Sequence, residues 1–226
     1  MGSWEKWCPW TENMIDDQMV HKLLKISTIR KYSKGDVIYW EGLDNRLFLL
    51  LAGKVEVSIM SSSGRKRTLA VREARAFIDD AMLDGYFYVV TITCLTPVEI
   101  AIFEHDILMR AGYEDPDIFV CMLKSVIIKL QGLSLQLAGQ TFDEVESRVY
   151  LLLTNLAKEY GQRVEEGICI EKHLTHQFIA DLVGSTRVRI TQILKNMFAN
   201  GILGKRGRKI VLLTETDYKN IIMKKK

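Results

Sequence analysis

The sequence predicts an α+β chain in three parts: an antiparallel, jelly-roll-like β-roll, one long helix, and a C-terminal domain of short helices closed by a β-hairpin. Three patterns predict it. Between residues 32 and 103, β-branched and aromatic runs are broken by Gly35, Gly42, Gly53 and "SSSG" ending at Gly64, the mark of roughly eight short strands joined by tight turns. After Asp115-Pro116, the residues Phe119, Leu123, Val126, Leu130, Leu133 and Leu137 step by 4, 3, 4, 3 and 4, which is a coiled-coil seam. Finally, "THQFIADLVGSTRVRITQILKNMFANG" reads as helix, turn at Gly184, helix and stop at Gly201, and "ILGKRGRKIVLL" alternates as a hairpin with a basic tip.

Composition narrows the class. At 226 residues, with 48% apolar and 26% charged side chains, the chain suits one large or two ordinary globular domains. No apolar run approaches the roughly 18 residues that span a bilayer, and no leader is expected, so the protein reads as cytoplasmic with no membrane partner. Cys8, Cys94, Cys121 and Cys169 form no C-x-x-C pair; they read as buried apolar side chains or free thiols. His173 and His176 lie close in sequence without a ligand set beside them, so no metal is expected. Residues 141–226 hold 15 Lys and Arg against 10 Asp and Glu, whereas residues 1–140 hold 16 against 18. A polyanionic partner would meet the basic C-terminal part.

The elements follow in order. Trp4, Trp7 and Trp10 read as a packing cluster ahead of a helix in "NMIDDQMVHKLLKIS". The roll completes a first domain over 1–114, and the long helix with its hinge occupies 115–140. A stripe on a lone helix could lie on the roll, but one sustained over about three heptads favours the same helix of a second subunit. Gly139 should weaken this helix, and "TFDE" at 141–144 reads as a capping box opening the next, which makes 138–142 a hinge. In the third domain, 141–226, "VESRVYLLLTNLAKEYG" is an amphipathic helix ended by Gly161, followed by a strand-like "GICIE".

The second short helix carries the functional signal. Ile190, Ile193, Leu194 and Met197 follow the i, i+3, i+4, i+7 rule of a buried stripe. Val188, Thr191, Gln192 and Lys195 repeat it on the opposite side, with Arg187 and Arg189 beside them. With the preceding helix as a brace and the hairpin as a wing, this is a winged helix-turn-helix suited to duplex DNA. Arg187 can fork onto guanine O6 and N7, and Gln192 can pair with adenine N6 and N7. Thr175, His176, Thr186, Arg189, Lys195 and the wing cations Arg206, Arg208 and Lys209 suit phosphate contacts, which position without reading.

These residues bear a resemblance. "KGDVI", "LLAGKVEV", the long helix, "RVYLLLTNLA" and "THQFIADLVGSTRVRITQILKNMFANGIL" together resemble the Crp/Fnr family of bacterial transcription regulators, over nearly the whole chain. The resemblance implies a homodimer, with RNA polymerase as partner if the protein is an activator. It also implies that Arg187, Val188 and Gln192 hold the three base-reading positions. Members commonly carry glutamate where Val188 stands; a valine packs on a thymine methyl and cannot accept from cytosine.

The effector cassette departs further. Where cyclic-nucleotide-binding members carry a Gly-Glu pair and a following arginine, this chain has "REARAFIDDAMLDGYFYVVTITC", with Asp79 and Asp80 in place of the pair and Ala74 in place of an upstream glycine. A cyclic phosphate would meet two carboxylates and no cation, so cyclic AMP or cyclic GMP is not expected. An iron–sulfur cluster lacks its four thiolates. Haem through His21 or His105 is not expected, because lone histidines on mixed surfaces are more often structural. Tyr86, Tyr88, Thr91, Thr93, Lys124, Lys129 and Gln131 could line a pocket for a small aromatic effector, as in other members; a filled roll without ligand explains the same alternation.

The reading is an effector-responsive, sequence-specific DNA-binding regulator, not an enzyme, since no nucleophile–base pair, catalytic carboxylate pair or phosphate-binding glycine loop stands out. The rival is a regulatory module whose winged helix docks on protein.

Overall fold

A computed structural model describes residues 15–38, 46–78, 90–172 and 174–213, together with the backbone of 10–11. The chain divides into two compact units, Pro9–Ser134 and Leu135–Lys226, the latter grouped with Met1–Cys8. The expected tryptophan cluster, Cys8, Asp79, Asp80, Tyr86, Tyr88 and His173 lie outside the described side chains.

The first unit is built on strands β1 (Trp10–Thr11), β2 (Thr28–Tyr32), β3 (Val37–Ile38), β4 (Arg46–Ala52), β5 (Lys54–Met60), β6 (Lys66–Glu73), β7 (Ala76–Phe77), β8 (Thr91–Cys94) and β9 (Val98–Glu104). They form two sheets, ordered β1-β6-β5-β8-β3 and β2-β9-β4-β7. Every pairing is antiparallel except β1 on β6. The side-chain period of two divides β4 and β9 between two cores. Phe48, Leu50, Ile100 and Ile102 join Val55, Val57 and Ile92 inside the roll. Leu47, Leu49, Ala101 and Phe103 face outward onto three helices. Burial on both faces is why "LFLLL" (47–51) and "IAIF" (100–103) read as unbroken apolar runs.

Those helices are α1 (Asp17–Leu24), α2 (His105–Glu114) and α3 (Asp117–Phe142). The Asp16 carboxylate caps α1 by accepting the Met19 N–H at 2.8 Å. Helix α2, absent from the sequence expectation, buries Leu108 against the roll and Gly112 under the Phe119 ring of α3. Lys22 donates to Asp115 at 2.6 Å and holds that carboxyl below the usual carboxylate range.

Helix α3 carries two apolar stripes. Ile118 and Met122 pack on the helix-facing core, and Ser125 is buried on the same side. Leu123, Leu130, Leu133 and Leu137 stand 59%, 62%, 46% and 66% exposed, with Val126 at 38%. Phe119 differs from the rest of the expected seam: it is half-buried against its own chain and meets Tyr113 edge-on, ring centroids 5.6 Å apart. Contrary to the sequence expectation, α3 is long and apolar enough to cross a membrane by length and composition. The residues around Lys124 and Lys129 form no unbroken run, but two stripes on one helix raise its average.

The expected hinge is displaced. Helix α3 continues through Gly139 to Phe142, with the Asp143 N–H donating to the Gly139 carbonyl at 3.0 Å. Thr141 caps nothing; its hydroxyl donates back to the Leu137 carbonyl at 3.0 Å. One glycine costs a helix only about 1 kcal/mol, which the surrounding turns absorb. The break falls at Asp143–Glu144, and α4 (Val145–Tyr160) begins without a side-chain cap. Arg148 holds this break. Its guanidinium donates to the carbonyls of Asp143 at 2.6 Å and Gly139 at 3.5 Å, and also to that of Val183 at 3.1 Å.

The rest of the second unit is α5 (His176–Val183), α6 (Arg187–Ala199) and a four-stranded antiparallel sheet. Its strands are β10 (Gly161–Val164), β11 (Gly167–Ile170), β12 (Leu203–Arg206) and β13 (Lys209–Leu212), in the order β10-β11-β13-β12. Gly161 ends α4 as expected, but in extended geometry (φ −91°) as the first residue of β10. A Cβ there would lie 2.0 Å from the Ala157 carbonyl oxygen, so the strand can leave the helix this closely only through glycine.

Candidate nucleic-acid interface

Each short helix has a side-chain cap. Thr175 Oγ1 accepts the Phe178 N–H at 3.1 Å and Thr186 Oγ1 accepts the Arg189 N–H at 3.2 Å. Both hydroxyls keep a proton to donate outward. Between the helices Gly184 takes the left-handed conformation, φ 70°, which turns the chain so that α6 crosses α5.

The apolar stripe of α6 falls where its spacing predicts. Ile190, Ile193, Leu194 and Met197 are at most 3% exposed, sharing the domain core with Leu152, Leu153, Ile179 and Leu182. Arg187, Val188, Arg189, Thr191, Gln192 and Lys195 are exposed, Val188 to 80%. The helix is therefore fixed from behind by its core and presents a cationic and polar front.

Two front residues are engaged within the chain. Thr191 donates its hydroxyl to the Arg187 carbonyl at 2.9 Å and lies 2.9 Å from His176 Nδ1. Gln192 Nε2 donates to Asn196 Oδ1 at 3.0 Å, so its amide must turn from Asn196 to meet a base edge. Asn196 is an exposed front residue outside the set expected from sequence; its i+4 spacing from Gln192 is the signal that could have found it.

The wing cations differ among themselves. Lys209 is ion-paired with Glu171, whose carboxyl it holds below the usual carboxylate range. Lys205 lies over the Phe198 ring, 5.0 Å from its centroid. Arg206 and Arg208 flank Gly207 at the exposed tip.

The expected effector residues are only partly visible. Thr91 and Thr93 are half-buried on β8, where Ser58 donates to the Thr91 carbonyl at 3.4 Å, and Lys129 is half-buried on α3. His21 is exposed, and His105 sits 3.0 Å from Asp106. Among the described residues, no three His, Cys, Asp or Glu side chains group to hold a metal ion. Burial pushes the Cys94 and Cys121 thiols up, away from reactive thiolates.

Comparison with known proteins places both halves. The cyclic nucleotide-binding domain model matches residues 29–112, and the Crp-like helix-turn-helix domain model matches residues 147–217. The chain is similar to the Global nitrogen regulator of Synechococcus elongatus, 26% identical over 190 residues that cover 81% of this chain and 85% of that one. It is also similar to the CRP-like cAMP-activated global transcriptional regulator of Mycobacterium tuberculosis, 24% identical over 183 residues, or 80% and 82% of the two chains. Among solved structures, the c-di-GMP responsive global regulator CLP of Xanthomonas campestris shares the fold with a TM-score of 0.77 at 21% identity, covering 88% of this chain and all of that one.

Proposed function

The chain belongs to the Crp/Fnr family of transcription regulators, and from that membership we propose that it acts as an effector-responsive homodimer reading a palindromic DNA operator. The observation that carries this reading is α6: four core residues lock one side while Arg187, Val188, Arg189, Thr191, Gln192 and Lys195 stand exposed on the other. Arg187, Val188 and Gln192 read bases. Thr175, His176, Thr186, Arg189, Lys195, Arg206 and Arg208 meet phosphates, and Lys209 can join them only by leaving Glu171. The exposed leucines of α3 pair with those of a second copy, which sets two α6 helices about one duplex turn apart.

The proposed division is 1–114 for sensing, 115–142 for dimerisation and the residues from the break at Asp143–Glu144 onward for DNA, at work in the cytoplasm, with RNA polymerase as the partner of an activator. The similar proteins are named for cyclic AMP and for c-di-GMP. Neither name transfers to this roll, because in sequence Asp79 and Asp80 replace the Gly-Glu pair of cyclic-nucleotide-binding members, and two carboxylates repel a phosphate. A small aromatic molecule near Tyr86, Tyr88, Thr91 and Lys129 fits that composition better.

Selection from a pool of random duplexes tests the reading. A palindromic consensus with half-sites about 10 base pairs apart is expected, and affinity should fall about a thousandfold between 50 and 200 mM salt. A chain that retains no duplex at low salt is not an operator-binding protein.

A further inference from the structure

Helix α5 ends at Val183, so the Val183 carbonyl has no amide of its own helix to accept from. Arg148 takes that place: its Nε–H donates to this carbonyl at 3.1 Å. Through Nη1 the same guanidinium donates to the carbonyls of Asp143 at 2.6 Å and Gly139 at 3.5 Å. Gly139 lies in the last turn of α3 and Asp143 just past its end. All four residues belong to the compact unit that holds Leu135–Lys226. Two helix C-termini, each the negative end of its dipole, thus converge on one cation. The guanidinium is planar and keeps its donors at fixed angles, so carbonyls that share it do not move independently. Its base is firm as well, for Arg148 stands in the first turn of α4 beside the buried Val149.

Val183 is followed by Gly184, whose left-handed turn sets the direction of α6. Its carbonyl is therefore where the path into the reading helix can be held from outside α5. We infer that Arg148 is a positioning residue for base reading, fixing the turn between α5 and α6 to the α3–α4 break so that each steadies the other. This rests on the DNA-binding reading above and adds to it a residue whose three bonds all go to main-chain carbonyls behind the reading surface. Its influence on DNA passes through the turn. Coupling of this kind is reciprocal: a duplex that steadies α5 and α6 must steady the break through the same side chain.

The test is amide-hydrogen exchange of the full chain, alone and bound to the selected operator duplex, with thermal melting as the fold control. In the wild type, the duplex should slow exchange over 175–199, where it binds, and over 139–148 as well. The slowing at 139–148 should be roughly tenfold, the weight of a hydrogen bond to a charged group. Arg148→Met keeps the stem and loses the donors; the duplex should then protect 175–199 alone, and operator affinity should fall about tenfold. Arg148→Lys keeps the charge and serves if the methionine variant does not fold. It should lose the protection at the break too, because one ammonium cannot span three carbonyls. A merely weaker fold would speed exchange with and without DNA alike, leaving the duplex-dependent difference at 139–148 in place. A folded variant of either kind that keeps the wild-type protection at the break overturns the inference, as does a wild type whose break the duplex leaves unprotected. Loss of all duplex binding by the wild type strikes instead at the DNA-binding reading.

Discussion

Helices α3 and α6 obey the same rule on one side and opposite rules on the other. Each buries an apolar stripe against its own chain: Ile118 and Met122 in α3, and Ile190, Ile193, Leu194 and Met197 in α6. What faces away differs. Helix α3 shows leucines at heptad spacing, and α6 shows arginines, a glutamine and a lysine. The inward stripe fixes where each helix lies. The outward one names the partner: water is a poor neighbour for a row of leucines, and a row of cations does not seek another protein's apolar helix.

The sharpest way to break this contrast is to put α6's chemistry on α3. Leu130 is 62% exposed in the single chain, so Leu130→Asp should leave the fold's melting behaviour little changed. In a dimer, two aspartates would be buried face to face, weakening association by about 3–5 kcal/mol. Sedimentation equilibrium should then report a monomer at concentrations where the wild type is a dimer, and operator affinity should fall with it. An unaltered dimer would move the subunit contact off this stripe.

The second prediction sharpens the contrast within the basic domain. Arg187→Ala should cost about 1–3 kcal/mol, concentrated at one base position of the selected operator. Arg208→Ala, at the wing tip, should weaken every sequence alike and flatten the salt slope by about 1 for each phosphate it no longer neutralises. Binding measured against a panel of single-substitution operators separates the two. Equal, sequence-blind losses would make α6 a phosphate clamp without a reading residue.

What is legible in the sequence follows from range. Periodicity is local, so the α6 stripe, the α3 seam and the turn at Gly184 are open to reading from spacing alone. The hinge is misplaced because "TFDE" has a cap's letters, while the surrounding turns carry α3 past Gly139 and leave the Thr141 hydroxyl bonded to Leu137. Helix α2 hides between a strand and Asp115-Pro116 because its ten residues show only two buried positions. Phe119 fits the heptad in sequence and packs on its own core in space. Contacts between different elements, such as His176 with Thr191 or Lys209 with Glu171, leave no periodic trace. Of the expected effector residues, Thr91 and Lys129 fall among those described, whereas Tyr86, Tyr88 and the Asp79-Asp80 doublet lie outside them.

The smallest predicted effect probes the one wing cation that is neutralised at home. Lys209 faces the choice between Glu171 and a phosphate, and the depressed Glu171 carboxyl shows how the ion pair is poised. A carboxyl whose folded value lies below its unfolded one lends its stabilisation at neutral pH and loses it as pH falls through the folded value. Near neutrality the pair is therefore intact, and if Lys209 meets a phosphate as proposed, the pair competes with DNA. Glu171→Gln removes that competitor and one negative charge from the wing, and should raise affinity about twofold to threefold for all duplexes alike at low salt. The gain should shrink as salt rises, and it should vanish in acid, where the wild-type carboxyl is itself protonated. Titrations of specific and scrambled duplexes at two salt concentrations measure it. A fall in affinity would mean that Glu171 serves DNA binding by holding the wing in place, and that its pairing with Lys209 is part of the interface and not a brake on it.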